Sequence, residues 1–338
     1  MVKAGIVGAA GYSGKELIRI LNAHPDVDVV SLTDKQFIGA GIAEVFPEFL
    51  GQIDTVIEDF DVQDVSDLCD VVFLALPHGI SCKYVPSLLD NGVRVIDISA
   101  DYRLKDTGSY QKWYGLVHPD GANLKKAVYG LPELNREKII NTDLLANPGC
   151  YPTAILLGLL PVGKIGLNDT FIIADAKTGV SGGGRKPVLP FHFAECNESV
   201  RAYKTGVHSH TSEIEMILKD KISKDVSVLF SPHLVPMNRG ILATIYIRYS
   251  GMDKDKILKT YESFYSDAPF VNVLKEGCLP STKDVIGTNY CQIGLVFDER
   301  TGMMIVVSVI DNLIKGASGQ AVQNMNLMFN LEETAGIK

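Results

Sequence analysis

Long apolar runs are missing from this chain. Its 338 residues are 46% hydrophobic, yet no stretch approaches the roughly 20 apolar residues a membrane-spanning helix needs, so no membrane span is expected. A basic excess is missing too. Thirty-two Lys and Arg against 40 Asp and Glu leave a net charge of −8, with no basic stripe to follow a phosphate backbone, which argues against nucleic acid as a general partner. Paired cysteines are absent: the six, at positions 69, 82, 150, 196, 278 and 291, form no CxxC. That spacing supports neither a zinc site nor a disulfide framework and suits a reducing compartment, the cytoplasm. The N-terminus enters a strand-like segment directly, without a signal-peptide pattern. Internal repeats and low-complexity segments are lacking as well.

What is there reads as two textures. In the first part, residues 2–8, 27–32, 70–76 and 94–99 are short apolar runs without alternation, and 14–22 has the spacing of an amphipathic helix. Unalternating strands fit a parallel sheet covered on both faces, and repeated strand–helix–strand units predict a doubly wound, Rossmann-type α/β domain that binds a dinucleotide. After Cys150 the strands lengthen, at 170–177, 226–230, 241–249, 290–297 and 303–310. They predict an α+β domain with a mostly antiparallel sheet. A helical pattern at 318–331 is expected to return to the first domain. The expected division is 1–148 with a C-terminal segment of about 313–338, and 149–312.

Gly8-Ala9-Ala10-Gly11-Tyr12-Ser13-Gly14 follows the first strand and opens the first helix. A tight turn there needs glycine, the backbone must come close to a pyrophosphate, and the helix start supplies N–H donors. Ser13 is a further donor. At the end of the second strand Asp34 is placed for the ribose hydroxyls of NAD, whereas Lys35 with Ser31 and Thr33 is placed for the 2′-phosphate of NADP. Pro77 and His78 follow the strand 70–76, at the cofactor end of a parallel sheet.

Asn147-Pro148-Gly149-Cys150-Tyr151-Pro152-Thr153 carries the most chemistry. It sets a cysteine at the mouth of a buried helix expected at 153–160. A helix start offers unpaired N–H groups and a partial positive charge, and that field favours the thiolate, the nucleophilic form. Pro152 fits a first helical turn.

With these residues and Asp311-Asn312-Leu313-Ile314-Lys315-Gly316-Ala317-Ser318-Gly319-Gln320, the chain from residue 1 to about 330 resembles the N-acetyl-γ-glutamyl-phosphate reductase family, of the semialdehyde dehydrogenase group. Residues 145–154 match the family's cysteine signature; 99–103, 129–133, 178–185 and 208–210 support the match. The resemblance implies reduction of N-acetylglutamyl 5-phosphate by NADPH, through a Cys150 thioester, to the semialdehyde and phosphate in arginine biosynthesis. It implies a cytoplasmic homo-oligomer, a dimer or tetramer, acting on a small acyl phosphate. His208 and His210 become the acid–base candidates, His208 preferred, with Glu213 as an orienting carboxylate. Arg103, Asn147, Arg185 and Lys186 are the expected substrate contacts, because arginine holds phosphate bidentately. Ser181, Gly182 and Asn312 are expected on the cofactor, Asn312 at the nicotinamide carboxamide. A reductase of carrier-linked aminoadipyl or glutamyl phosphate is the alternative, and its acidic carrier fits poorly with a charge of −8. An aspartate-semialdehyde dehydrogenase carries a different pattern around its cysteine. A non-catalytic NADP-binding sensor would not need Cys150, His208 and Arg103.

Overall fold

The computed structural model describes residues 1–166, 171–223, 225–249 and 252–337. Thr170, the expected first residue of a strand, lies outside them, as does Lys338. In chain order the strands are β1 (Val2–Val7), β2 (Val27–Thr33), β3 (Val71–Leu74), β4 (Arg94–Asp97), β5 (Val128–Tyr129), β6 (Leu144–Ala146), β7 (Phe171–Thr178), β8 (Arg201–Ala202), β9 (Ser227–Leu234), β10 (Ile241–Arg248), β11 (Val271–Val273), β12 (Cys291–Asp298) and β13 (Met303–Ile310). The helices used below are α1 (Tyr12–Asn22), α2 (Thr107–Tyr114), α3 (Cys150–Leu159), α4 (His210–Lys221), α5 (Lys254–Phe264) and α6 (Gly319–Met328). The chain divides into two compact units, one of Met1–Pro148 with Ala317–Lys338 and one of Gly149–Gly316.

The first unit is built on a six-stranded sheet in the order β2-β1-β3-β4-β6-β5, with every pair parallel. All four residues of β3 are buried, as a strand covered on both faces requires. α1 buries Leu17, Ile18, Ile20 and Leu21, the stripe expected of its 3.6-residue spacing. α6 is buried from Gly319 to Met328. It is tied in by Asn326, whose Oδ1 lies 3.0 Å from His24 Nε2, and by the Arg94 guanidinium, which donates to Met328 O.

The second unit holds a seven-stranded sheet in the order β11-β12-β13-β10-β7-β9-β8. It is mixed: β7 runs parallel to β9 and β11 to β12, and the remaining pairs are antiparallel. Burial alternates along β7 and β10, so one face points into the core. α3 lies on that face. It starts at Cys150 rather than Thr153, and Pro152 sits at the third helical position, where its missing N–H is still one of the unpaired donors of a first turn. Tyr151 to Leu159 are all buried. Full burial of a leucine or isoleucine contributes about 1.5–3 kcal/mol, so Ile155, Leu156, Leu157 and Leu159 fix the helix on the sheet. Gly158 permits the close approach, since a Cβ there would come within 2.9 Å of Ile245 Cδ1.

Candidate active site

Cys150 occupies the first position of α3, and no side chain caps Gly149. The N–H of Gly149 instead donates to Glu213 Oε1 at 2.8 Å. Glu213 is fully buried in the first turn of α4, three residues after His210. One helix start therefore presents a histidine and a carboxylate together, and the carboxylate fixes the backbone next to Cys150. Expected as a partner for a histidine, Glu213 holds the cysteine turn. Cys150 itself is partly exposed.

The two histidines lie side by side. Their ring centroids are 4.7 Å apart, and the ring of Tyr151 is 5.9 Å from His208 and 6.1 Å from His210. His208 also meets Tyr203 and Phe230, at 5.7 and 5.3 Å. Its Nδ1 accepts the N–H of His210 at 3.2 Å, which leaves the ring proton on Nε2. Burial among these rings, with Lys204 adding to it, pushes the His208 pKa down to about 4, so the imidazole is neutral at pH 7. The Tyr203 hydroxyl donates to that of Tyr151 at 3.1 Å, and burial pushes the Tyr203 pKa up to about 12. This tyrosine pair was not expected. The residues stand 52 positions apart, with no local pattern to join them.

A π-helical turn, Ile314–Ser318, follows β13. A Cβ on Gly316 would come within 2.9 Å of Cys150 Cβ, so only glycine lets this turn pass the cysteine. Such turns concentrate at functional sites. Just before it, Asn312 accepts the Gly240 N–H at 2.7 Å and donates to Ser181 Oγ at 2.9 Å. Ser181, Asn312 and neighbouring Gly182 are thus brought together. Arg185 and Lys186 stand in an exposed stretch, 182–190.

In the first unit the glycine loop is a cradle. Gly8 has φ +91, and a Cβ on Gly14 would lie 2.3 Å from Gly8 O and 2.6 Å from Ala9 O. At Gly11 a Cβ would meet only Gly8 O, at 3.4 Å. Gly11 begins α1 without a side-chain cap, leaving the first N–H groups of the helix for an anion. Tyr12 and Ser13 are its first residues, and Ser318 Oγ donates to Ser13 O at 2.9 Å. Asp34 accepts the N–H of Ala10 and of Gln36, at 3.1 and 2.9 Å. Ser31 and Thr33 are buried, which removes their hydroxyls from the expected phosphate contact, whereas Lys35 is exposed. Pro77 and His78 are exposed beyond β3. Arg103 is buried. Its Nε donates to Asn147 O and its Nη2 to Ile98 O, both at 2.8 Å, and the Asn147 N–H donates to Asp97 O at 2.8 Å. Arg103 and Asn147 therefore meet at the carboxyl ends of β4 and β6.

Both units have counterparts among known proteins. Residues 3–142 match the semialdehyde dehydrogenase NAD binding domain and residues 150–312 the semialdehyde dehydrogenase dimerisation domain. An N-acetyl-gamma-glutamyl-phosphate reductase of Desulforudis audaxviator is 50% identical over 100% of this chain and 98% of its own length; one of Halothermothrix orenii is 48% identical with the same coverage. Among solved structures, an aspartate semialdehyde dehydrogenase II of Vibrio cholerae superposes with a TM-score of 0.73 at 17% identity, covering 98% of each chain. One from Candida albicans, solved with NADP, gives 0.72 at 16%, covering 97% of this chain and 98% of its own. These two establish likeness of fold. Full-length identity near one half places the chain in a narrower group: it belongs to the N-acetyl-gamma-glutamyl-phosphate reductase family of semialdehyde dehydrogenases.

Proposed function

We propose that the protein reduces N-acetylglutamyl 5-phosphate to N-acetylglutamate 5-semialdehyde and phosphate with NADPH, in arginine biosynthesis. The observation that carries the reading is Cys150 at the first position of an uncapped helix, its turn fixed by buried Glu213 and the ring of its neighbour Tyr151 set against two histidines. The Cys150 thiolate attacks the acyl carbonyl, a C–S bond forms, and the C–O bond to phosphate breaks with its electron pair on phosphate. Splitting the reaction in this way replaces one hard step with two easier ones. Bound NADPH supplies the hydride that takes the thioester to the aldehyde level. Collapse of the resulting tetrahedral centre returns the electron pair to the sulfur of Cys150.

His210 is assigned as the acid–base group and His208 as its support. A base with a pKa near 4 is poorly matched to a thiol at neutral pH, and His208 already spends Nδ1 on the His210 backbone. Glu213 acts through Gly149 as a positioning residue. Arg103 with Asn147 is assigned to the phosphate-bearing end, with Arg185 and Lys186 as further substrate contacts. Gly8, Gly11, Tyr12, Ser13 and Gly14, with Lys35, Pro77, His78, Ser181, Gly182 and Asn312, are assigned to the cofactor. Both oxygens of Asp34 are engaged by backbone N–H groups while Lys35 stays exposed, which favours NADP over NAD.

The match to a dimerisation domain supports a homo-oligomer, a dimer or tetramer, built through the second unit. The outer face of its sheet carries half-exposed Ile173, Leu242, Tyr246 and Ile305. No helix among the described residues is long and apolar enough to cross a membrane, and we place the enzyme in the cytoplasm. The test is the reverse reaction: N-acetylglutamate semialdehyde, phosphate and NADP, followed by absorbance of the reduced cofactor, against NAD and against aspartate semialdehyde. Preference for aspartate semialdehyde overturns the substrate. His210→Asn should lose on the order of 10²-fold or more in rate and His208→Asn less; the reverse order overturns the histidine assignment.

A further inference from the structure

The first unit contains a buried carboxylate that the proposed chemistry leaves unused. Asp101 is fully buried, and its oxygens accept three donors: the N–H of Gly79 at 2.6 Å, the N–H of Cys82 at 3.1 Å and the hydroxyl of Tyr110 at 2.7 Å. Taking a carboxylate out of water costs several kcal/mol unless hydrogen bonds replace the hydration. Here two of the replacement donors come from a single turn, residues 77–82, which follows the carboxyl end of β3. Ligands of parallel sheets bind at that end.

The same turn is held a second way. Tyr110 and Tyr114 of α2 stack at 5.0 Å, and the Tyr114 ring reaches His78 at 5.7 Å. His118 closes the inner side, 4.9 Å from Tyr110 and 5.1 Å from Tyr102. Gly79 takes φ +80, a conformation other residues rarely adopt, and a Cβ there would lie 2.6 Å from Leu116 Cδ1. The 77–82 turn is therefore clasped through its backbone by Asp101 and through His78 by the tyrosine ladder. Asp101 is itself held, its N–H donating to Ser99 Oγ at 3.1 Å.

We propose that Asp101 is a positioning residue for the cofactor, and that with Tyr110 it holds residues 77–82 in the shape that receives NADPH. The inference rests on the proposed function for the identity of that ligand and goes beyond it in naming what shapes the turn. Charge-assisted bonds of this kind set geometry as well as energy.

The test uses the full-length enzyme with Asp101→Asn and Tyr110→Phe. Amide exchange at residues 77–82 should accelerate in both variants, more in Asp101→Asn, with the β-strands of the unit unchanged. The Michaelis constant for NADPH should rise on the order of tenfold in Asp101→Asn and about threefold in Tyr110→Phe, as expected for losing one partner of a charged hydrogen bond. The Michaelis constant for the acyl phosphate and kcat should stay within about twofold, a split that general damage to the fold would not give. Direct NADPH titration can be read from the single tryptophan, Trp113, one turn beyond Tyr110 in α2. Unchanged exchange at 77–82, or faster exchange with unchanged NADPH affinity, overturns the proposal. If Asp101→Asn fails to fold, Tyr110→Phe decides alone by the same readouts. A parent enzyme that binds no NADPH sinks the proposed function, whereas a parent that binds and variants that bind equally well sink only the role of Asp101.

Discussion

The two units open their functional helices in the same way and use them differently. α1 begins after Gly11 and α3 after Gly149, both glycines in extended conformation and neither helix capped by a side chain. In each case a carboxylate from elsewhere in the same unit accepts a neighbouring loop N–H: Asp34 from Ala10 at 3.1 Å, Glu213 from Gly149 at 2.8 Å. The difference lies in what else the start carries. α1 leaves an open glycine cradle suited to an anion that arrives and departs. α3 puts a cysteine at its first position and buries the supporting carboxylate completely. On the proposed reading, an uncapped helix start serves as a binding site or a nucleophile site according to its first residue and the burial of the acid behind it.

Cys150→Ser is the sharpest way to break the comparison. It keeps the α3 start and removes only the thiol. Turnover should fall by about 10⁴-fold or more, with NADPH affinity in an equilibrium titration within about twofold. Substantial turnover in the serine variant would falsify the assignment of Cys150 as nucleophile.

Gly14→Ala breaks the other half. Its Cβ would press on two carbonyl oxygens at 2.3 and 2.6 Å, so the cradle must deform, and NADPH affinity should drop on the order of 10²-fold. Gly11→Ala, with a single contact at 3.4 Å, should cost less than about fivefold. Equal losses in the two variants would mean that the close backbone approach at Gly14 does not shape the site.

How much of this was readable in the chain follows from the range of each interaction. The glycine loop, the parallel strands and the cysteine at a helix mouth are local, and each was expected within a few residues of where it lies. The expected start at Thr153 falls three residues late: Pro152 suits a first turn, but a proline is as much at home at the third helical position as just before or at the first, so it does not fix where the helix begins. The mixed order of the second sheet was out of reach. The β7–β9 pairing is parallel and leaves no mark in either strand, and β5 and β8 are two residues long, too short for any period. The contacts that define the site join residues far apart: Glu213 with Gly149, Tyr203 with Tyr151, Gly316 with Cys150. Sequence spacing named the residue types, left the tyrosine and glycine partners unassigned, and gave Glu213 to a histidine where the structure pairs it with the Gly149 N–H.

Glu213→Gln sharpens the comparison at lower cost. The amide oxygen can still accept the Gly149 N–H, so the turn is kept, while the buried charge is lost. A hydrogen bond to a charged group is worth about 1.5–3 kcal/mol against about 1 for a neutral one, so kcat should fall about tenfold with little change in either Michaelis constant. Asp34→Asn, the same change in the half-buried counterpart, should move kcat by less than about twofold. A larger effect at Asp34 than at Glu213 would reverse the proposed roles.

The smallest effects concern stability, and the units should respond to acid with opposite sign. In the second unit, burial pushes the His208 pKa down to about 4 from its ordinary value of 6.5. Between those values the unfolded chain binds more protons than the native one, so stability is full above pH 6.5 and is lost as pH falls toward 4. In the first unit, Asp97 is fully buried, and desolvation, with Asp101 adding to it, raises its pKa to about 6 from 3.8. There the native state holds the proton that the unfolded chain gives up, so stability declines as pH rises from about 4 to 6. Each contribution is on the order of 2 kcal/mol. Urea denaturation at pH 5 and pH 7, with probes in each unit, checks the signs. His208→Asn should narrow the gap by which pH 7 is more stable than pH 5 in the second unit, and Asp97→Asn should remove the opposite trend in the first. If both substitutions shift stability in the same direction with pH, the buried histidine and the buried aspartate are not in the protonation states that their surroundings impose.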